Sequence, residues 1–366
     1  MKIAIFLSFK ESMAIHENAG QAERFLNYYL MPYSEVFEKI YVFSWADESF
    51  DFPFKNVSLL PNTLGVSPYG YNLILPFIHK KKLKDCQVIR LMQFTSIVPA
   101  AISKLFYKNK IIATYGFPYS RFLNVRGHRM QSLIWTAVEW TFLPVVDQFI
   151  ATYQKTADYL FDRSVSPEKI RILPNGVDVD FFRPVLKKRT GIKMELLFVG
   201  RFEPEKNIIN LAKSLSLIKS SDFHITLIGK GALEKDLRRI LDEGHVSYEI
   251  IPRMSHDRLV IKYQSADVFL LPSLAEGYPK VLIEAMACGL PCVVGKYPGY
   301  SDIITDGNNG LVCGFDPQSI AEAIGKLLAD TEIRERLSFN SREFVEKNND
   351  IKKLVTDEIR LMEKMT

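Results

Sequence analysis

At 366 residues the chain is too long for one ordinary core and fits two domains of about 180 residues each. Its 47% apolar and 24% charged residues exclude a disordered or fibrous chain. The net charge of +5 is unevenly spread: residues 1–190 hold 24 Lys and Arg against 16 Asp and Glu, whereas residues 191–366 hold 23 against 26, so only the first half has an electrostatic reason to meet an anionic partner.

In chain order, short apolar and β-branched runs alternate with helical patterns, which predicts parallel sheets wrapped by helices. The first set of expected strands is Lys2–Ser8, Ile40–Ser44, Val57–Leu60, Val88–Met92, Ile111–Thr114, Gln148–Thr152 and Arg171–Pro174. The second is Glu195–Val199, His224–Ile228, Glu249–Ile251, Val268–Leu271, Cys292–Val294 and Leu311–Cys313. Nearly continuous apolar runs such as LLFV and VFLL suit sheets covered on both faces. Between the sets, Asn175 to Lys193 is polar and turn-rich, with Gly176, Pro184 and the cluster Lys187, Lys188 and Arg189, and reads as a linker. The expected domains are residues 1–188 and 189–349, followed by a helix over 350–366 that returns to the first domain. Two doubly wound domains place ligands at the carboxyl ends of their strands, expected here as a cleft between the domains.

No stretch reaches the roughly 18 uninterrupted apolar residues of a spanning helix. The nearest, Ser132 to Val146, contains Glu139 and reads as a buried or interfacial helix. The opening MKIAIFLSFKES is too soon interrupted for a signal peptide. Cys86, Cys288, Cys292 and Cys313 make no CxxC pair, so free thiols in a reducing, cytoplasmic compartment are expected.

Two motifs carry chemistry. Gly200-Arg201-Phe202-Glu203-Pro204-Glu205-Lys206-Asn207 follows a strand and opens a helix whose apolar face starts at Ile208. Its glycine permits close backbone approach, and Arg201 and Lys206 set two cations beside a helix start that itself favours anions, a seat for a diphosphate. The competing reading is a solvated turn. The second motif, Glu276-Gly277-Tyr278-Pro279-Lys280-Val281-Leu282-Ile283-Glu284, has two carboxylates eight positions apart, one in a loop and one about 8 Å along a helix, able to reach different parts of an extended ligand.

With Pro174-Asn175-Gly176-Val177-Asp178 and the DGNNGLV run at Asp306–Val312, these motifs resemble the retaining GT-B glycosyltransferases of group 1 and family 4, densely over residues 170–330 and loosely before them. The resemblance implies an α/β fold of two Rossmann-like doubly wound domains facing a central cleft. It also implies metal-independent transfer of a sugar from a nucleoside-diphosphate sugar to an acceptor hydroxyl, with no cofactor beyond that donor. Carried over by position, Arg201 and Lys206 hold the donor diphosphate with help from the backbone of Lys280 and Val281. Glu276 faces the transferred sugar as the catalytic carboxylate, Glu284 meets the ribose hydroxyls, and Arg253 and Met254 lie near the base.

The chain departs from the pattern in its first half. Where relatives carry a glycine pair it has Ala19-Gly20, and where many carry a histidine it has Tyr115, so Gly20 and Tyr115 are the first-domain candidates. Asp178-Val179-Asp180 imitates a metal-binding DxD but sits in a turn, where aspartate closes local hydrogen bonds, and no metal is expected.

The basic groups at His79–Lys84, at Lys104, Lys108 and Lys110, and at Arg121, Arg126 and Arg129 lie near aromatic and aliphatic helix faces. They suit the inner, anionic face of a membrane and a sugar or lipid-linked acceptor in polysaccharide or glycolipid assembly. They lack the aromatic-cation alternation of a nucleic-acid surface, and His128 reads as a surface residue. Two alternatives remain: an epimerase acting on a sugar nucleotide, and an inactive transferase-like binding subunit.

Overall fold

Each of the thirteen expected runs forms a strand, its ends shifted by at most two residues. The architecture comes from a computed structural model that describes every residue except 19, 121–122, 124–127, 186–192, 220–221 and 366. Ala19, Arg121, Arg126, Lys187, Lys188 and Arg189 therefore lie outside the described residues, as does the expected boundary at 188/189. The chain divides into two units, Met1–Pro174 with Lys352–Thr366, and Asn175–Ile351. From Asn175 onward the PNGVD turn is part of the second unit and not a free linker. Val177 bridges to Asp350, and Gly176 packs so tightly that a Cβ there would meet Ile351 at 2.8 Å.

The first unit is a parallel sheet of β1 (Lys2–Phe6), β2 (Lys39–Phe43), β3 (Val57–Leu60), β4 (Val88–Leu91), β5 (Lys110–Tyr115), β6 (Gln148–Ala151) and β7 (Ile170–Ile172). Their spatial order is β3-β2-β1-β4-β5-β6-β7. Between β1 and β2 run α1 (Met13–Asn18), α2 (Ala22–Phe25) and, after a π turn at Leu26–Leu30, α3 (Met31–Val36). The crossovers from β3 onward carry α4 (Pro68–Ile78), α5 (Lys80–Asp85), α6 (Ile97–Tyr107), α7 (Arg129–Phe142) and α8 (Gln154–Phe161). Pro68 at the first position and the Ser67 hydroxyl, which accepts from the Gly70 N–H, start α4. Right-handed crossovers that all advance the same way put α4, α6, α7 and α8 on one face of this sheet.

The second unit holds β8 (Met194–Val199), β9 (Phe223–Ile228), β10 (Tyr248–Ile251), β11 (Val268–Leu271), β12 (Cys292–Gly295) and β13 (Leu311–Cys313), in the order β10-β9-β8-β11-β12-β13. Its helices are α9 (Ile208–Leu217), α10 (Glu234–Glu243), α11 (His256–Ser265), α12 (Lys280–Ala287), α13 (Pro317–Ala329) and α14 (Thr331–Asn348). Asp316 and Asp330 cap the last two, each carboxylate accepting an N–H at 2.9 Å. The core packs Leu196 and Phe198 of β8 and Ile225 and Leu227 of β9 against Ile208 and Leu211 of α9 and Leu237 of α10.

The final helix, α15 (Ile351–Glu363), belongs almost wholly to the first unit. Its Glu358 is buried and accepts from the Tyr33 hydroxyl and from Arg90 Nε, while Arg90, in the middle of β4, also donates to Thr114 Oγ1 at 2.8 Å and to the Leu91 carbonyl. A guanidinium inside a sheet is tolerable only with such partners. The expected helix at Ser132–Val146 starts three residues earlier and ends at Phe142, where Pro144 leaves only a single tight turn, Leu143–Val145. It is not a core helix: Glu139 is its one buried residue. All four cysteines are free and buried.

Candidate active site

In an open α/β sheet, ligands lie outside the carboxyl ends of the strands where the winding reverses. In the second unit that point falls between β8 and β11. The two loops leaving these strands are Gly200–Asn207 and Pro272–Pro279, the loops of the two sequence motifs. The Leu274 N–H donates to the Glu205 carbonyl at 2.8 Å and ties the loops together. Beside that bond, Lys206 Nζ lies 2.5 Å from Glu276 Oε1, with both side chains largely shielded from solvent, at 14% and 10% exposure. Lys206 is placed by local backbone: Pro204–Lys206 makes one tight turn, Asn207 takes a left-handed conformation at φ 55°, and its side-chain amide donates to the Phe315 carbonyl.

The Gly200–Phe202 segment is held against a second turn that the sequence reading did not single out, Gly229-Lys230-Gly231 after β9. Gly200 N–H donates to Ile228, and Phe202 N–H to Lys230. Gly229 sits at φ +154°, and a Cβ there would come within 1.9 Å of the Gly200 carbonyl oxygen; one on Gly231 would meet the Phe202 carbonyl at 2.4 Å. Two glycines directly after a strand were the available signal for so close an approach.

The remaining candidates fall as follows. Arg201 is exposed and pairs with Glu205 at 2.8 Å, so Lys206 meets Glu276 while Arg201 turns to its own loop. Lys280 and Val281 form the first turn of α12 after Pro279, which caps that helix from outside it. Glu284, one turn on, is buried, and its carboxylate accepts from the Tyr263 hydroxyl at 3.1 Å; burial and that carboxylate push the Tyr263 hydroxyl well above its ordinary pKa. Arg253 and Met254 follow β10 at the same end of the sheet, Arg253 exposed and Met254 half-buried. Asp178 Oδ1 accepts from the Asp180 and Phe181 N–H groups at 2.9 and 3.1 Å, closing its turn.

In the first unit, Gly20 occupies an exposed turn at φ +67° with no atom within 4 Å of a would-be side chain. Tyr115, at the end of β5, is buried. Its side chain is 2% exposed, stacks on Tyr159 and donates to Glu139 Oε1 at 2.9 Å. Burial, with Glu139 beside it, drives the hydroxyl far above its ordinary pKa. The hydroxyl is thus spent on an internal carboxylate, as the Tyr263 hydroxyl is on Glu284. The winding of the first sheet reverses between β1 and β4, where the loops Leu7–Ser12 and Met92–Ser96 leave the strands and the Phe9 N–H donates to Thr95 Oγ1. The sequence reading placed no candidate there, since strand order is invisible before pairing is known.

Two parallel sheets of this winding, with paired loops at a switch point, are Rossmann-like α/β units of the kind that GT-B proteins contain. Residues 180–344 match the family described as glycosyl transferases group 1, and residues 40–181 match glycosyltransferase family 4. The two matches are consecutive, so the chain carries a region similar to each of these glycosyltransferase families between residues 40 and 344. It is 34% identical over 183 residues to a D-inositol 3-phosphate glycosyltransferase of Acidothermus cellulolyticus, covering 44% of this chain and 41% of that protein. It is 28% identical over 200 residues to the UDP-Gal:alpha-D-GlcNAc-diphosphoundecaprenol alpha-1,3-galactosyltransferase of Escherichia coli, covering 49% and 50%. The matched region thus spans no more than about half the length of these relatives. Among solved structures, a sucrose-phosphate synthase from Thermosynechococcus elongatus superposes with a TM-score of 0.78 at 20% identity, covering 100% of this chain and 99% of the other. An Anabaena protein in complex with UDP and glucose does so with 0.74 at 17%, covering 99% of each.

Proposed function

We propose that the chain transfers a sugar from a nucleoside-diphosphate sugar to an acceptor hydroxyl with retention of anomeric configuration. The observation that carries this reading is the Lys206–Glu276 pair at the β8/β11 switch point. Without a donor the ammonium and the carboxylate neutralise each other. An arriving diphosphate, with more charge and more acceptor oxygens, exchanges with Glu276 as the partner of Lys206 and releases the carboxylate toward the sugar. As the nucleoside diphosphate departs, negative charge grows on the bridging oxygen and Lys206 stabilises it, with Arg201 able to swing in from its exposed position. Glu276 steadies the oxocarbenium-like carbon. In this scheme the N–H groups of Lys280 and Val281 support the phosphates, Glu284 meets the ribose after its buried carboxylate is reached, and Arg253 and Met254 flank the base. The two cations stand where a divalent metal would otherwise act, so we propose transfer without metal or further cofactor. The names of two similar proteins, one a UDP-Gal-dependent transferase acting on a diphosphoundecaprenol-linked sugar and one a complex with UDP and glucose, support a UDP-type donor and a sugar or lipid-linked acceptor. We place the reaction in polysaccharide or glycolipid assembly at the cytoplasmic face of a membrane.

The test is a thermal-shift panel of nucleoside diphosphates, since a ligand that binds only the folded protein raises its melting temperature. One diphosphate should stabilise the wild type, and Lys206→Ala should weaken that ligand by about ten- to hundredfold, the worth of a lost charge-assisted hydrogen bond. With the sugar nucleotide, Lys206→Ala should also lower kcat. Unchanged turnover at saturating donor overturns the assignment, and an epimeric sugar nucleotide formed from donor alone replaces transfer with epimerisation.

A further inference from the structure

We infer that the helical face of the first unit is a docking surface for an anionic lipid bilayer, formed by α4, α6 and α7. The inference deepens the proposed function by assigning residues to its membrane partner, and rests on that reading only for its purpose. The first observation is polarity turned inside out. α7 buries Glu139, which accepts from Tyr115, Ser120 and Tyr159, and its Ser132 hydroxyl donates inward to the Ser120 carbonyl. Outward it presents Met130, Leu133, Ile134 and Trp140, spaced at i, i+3, i+4 and i+10, each more than half exposed. A helix facing water does the reverse, as α10 shows. It buries Leu237 and Leu241, and its exposed residues are all charged.

The second observation is that the pattern recurs on the neighbouring helices. α4 contains no charged residue, and its exposed positions are Tyr69, Leu73, Ile74, Phe77 and Ile78. α6 adds Leu105 and Phe106, and the Phe106 ring lies edge-on to Phe77 at 5.3 Å. α6 packs against both α4 and α7, so the three outward faces adjoin. Apolar exposure shared by three adjacent helices is more than a monomer in water ordinarily tolerates.

Charge selects the occupant. From Phe52 to Val138 the sequence has twelve Lys and Arg and one acidic residue, Asp85. Lys80, Lys81, Lys82 and Lys84 continue directly from the apolar stripe of α4 along α5, Lys108 ends α6, and Arg129 starts α7, all of them exposed. Apolar and aromatic side chains bordered by cations match the two layers of an anionic bilayer surface, acyl chains below and headgroups above. A second copy of the chain would set one cationic border against another, which costs free energy. No helix among the described residues is long and apolar enough to cross a membrane, so the contact proposed is peripheral.

The experiment is vesicle co-sedimentation with the full chain, using phosphatidylcholine alone and phosphatidylcholine mixed with phosphatidylglycerol. Wild type should bind the mixed vesicles and hardly the neutral ones. Lys80→Glu/Lys81→Glu/Lys82→Glu should weaken binding by at least about tenfold, since each cation near an anionic surface contributes measurably. Leu133→Ser/Ile134→Ser should weaken it as well. Tryptophan emission should shift to shorter wavelength on mixed vesicles, and Trp140→Phe should remove most of that shift. Equal binding to both vesicle types, or binding to neither, overturns the inference. So does self-association of the wild type that Leu133→Ser/Ile134→Ser abolishes without any vesicle binding. The nucleoside-diphosphate thermal shift, run on the same variants, should be unchanged. A wild type stabilised by nucleotide that binds no vesicles sinks the docking surface alone, and a wild type that binds the mixed vesicles but is indifferent to every nucleotide sinks the donor reading alone.

Discussion

A tyrosine hydroxyl with a buried carboxylate partner behaves differently from one that serves a ligand, and Tyr115 allows the two roles to be separated. Tyr115→Phe leaves Glu139 short of one donor in a buried cluster that retains Ser120 and Tyr159. The expected cost is about 1–3 kcal/mol in chemical denaturation, with the Michaelis constant for donor unchanged. A change in that constant without loss of stability would return Tyr115 to the site. The sequence offered no way to foresee its orientation: the partner lies 24 residues on, and the position was singled out only because related chains carry another residue there. Lys206 and Glu276 were legible for the opposite reason. Each sits in a short loop whose local grammar of glycine, proline and charge is fixed by the strand before it and the helix after it. What spacing could not say is that the two side chains would meet each other.

At the scale of elements, the sheets were readable because strands covered on both faces must be apolar throughout, which leaves a contiguous signal. The helices were less so. An apolar stripe on α7 marks a face, but the stripe has the same period whether it looks into the core or away from it, and only the burial of Glu139 decides. The contact between the Gly200–Phe202 loop and the Gly229-Lys230-Gly231 turn escaped notice as well, because it joins neighbouring strands through backbone rather than through side chains. It supports a sharp expectation. Gly229→Ala forces a methyl group into the Gly200 carbonyl, so it should destabilise the second unit by at least about 2 kcal/mol and displace the loop that carries Arg201 and Lys206. Denaturation should show the first effect, and a smaller nucleoside-diphosphate thermal shift the second.

On the scale of the whole chain, the first unit is completed by a helix from the far end of the sequence. Nothing in the run Val88-Ile89-Arg90-Leu91 foretells a carboxylate 268 positions away, although an arginine in a central strand demands one. Glu358→Ala leaves that guanidinium buried and uncompensated, and urea unfolding should register a loss of about 3–5 kcal/mol in the first unit. Replacing both partners, as Arg90→Met/Glu358→Leu, should recover most of it, because an apolar pair needs no counter-charge. If the double variant is as weak as the single one, packing rather than charge holds the helix in place.

The same tether sets an order of events during synthesis. At about 5–20 residues per second, the ribosome makes Glu358 roughly 13 to 54 seconds after Arg90. For that interval the nascent first unit holds a strand whose cation has no mate, while the whole second unit is made in between. A message cut short at the start of the last helix would therefore release a protein with one finished half and one half unable to settle, a clear target for proteolytic clearance.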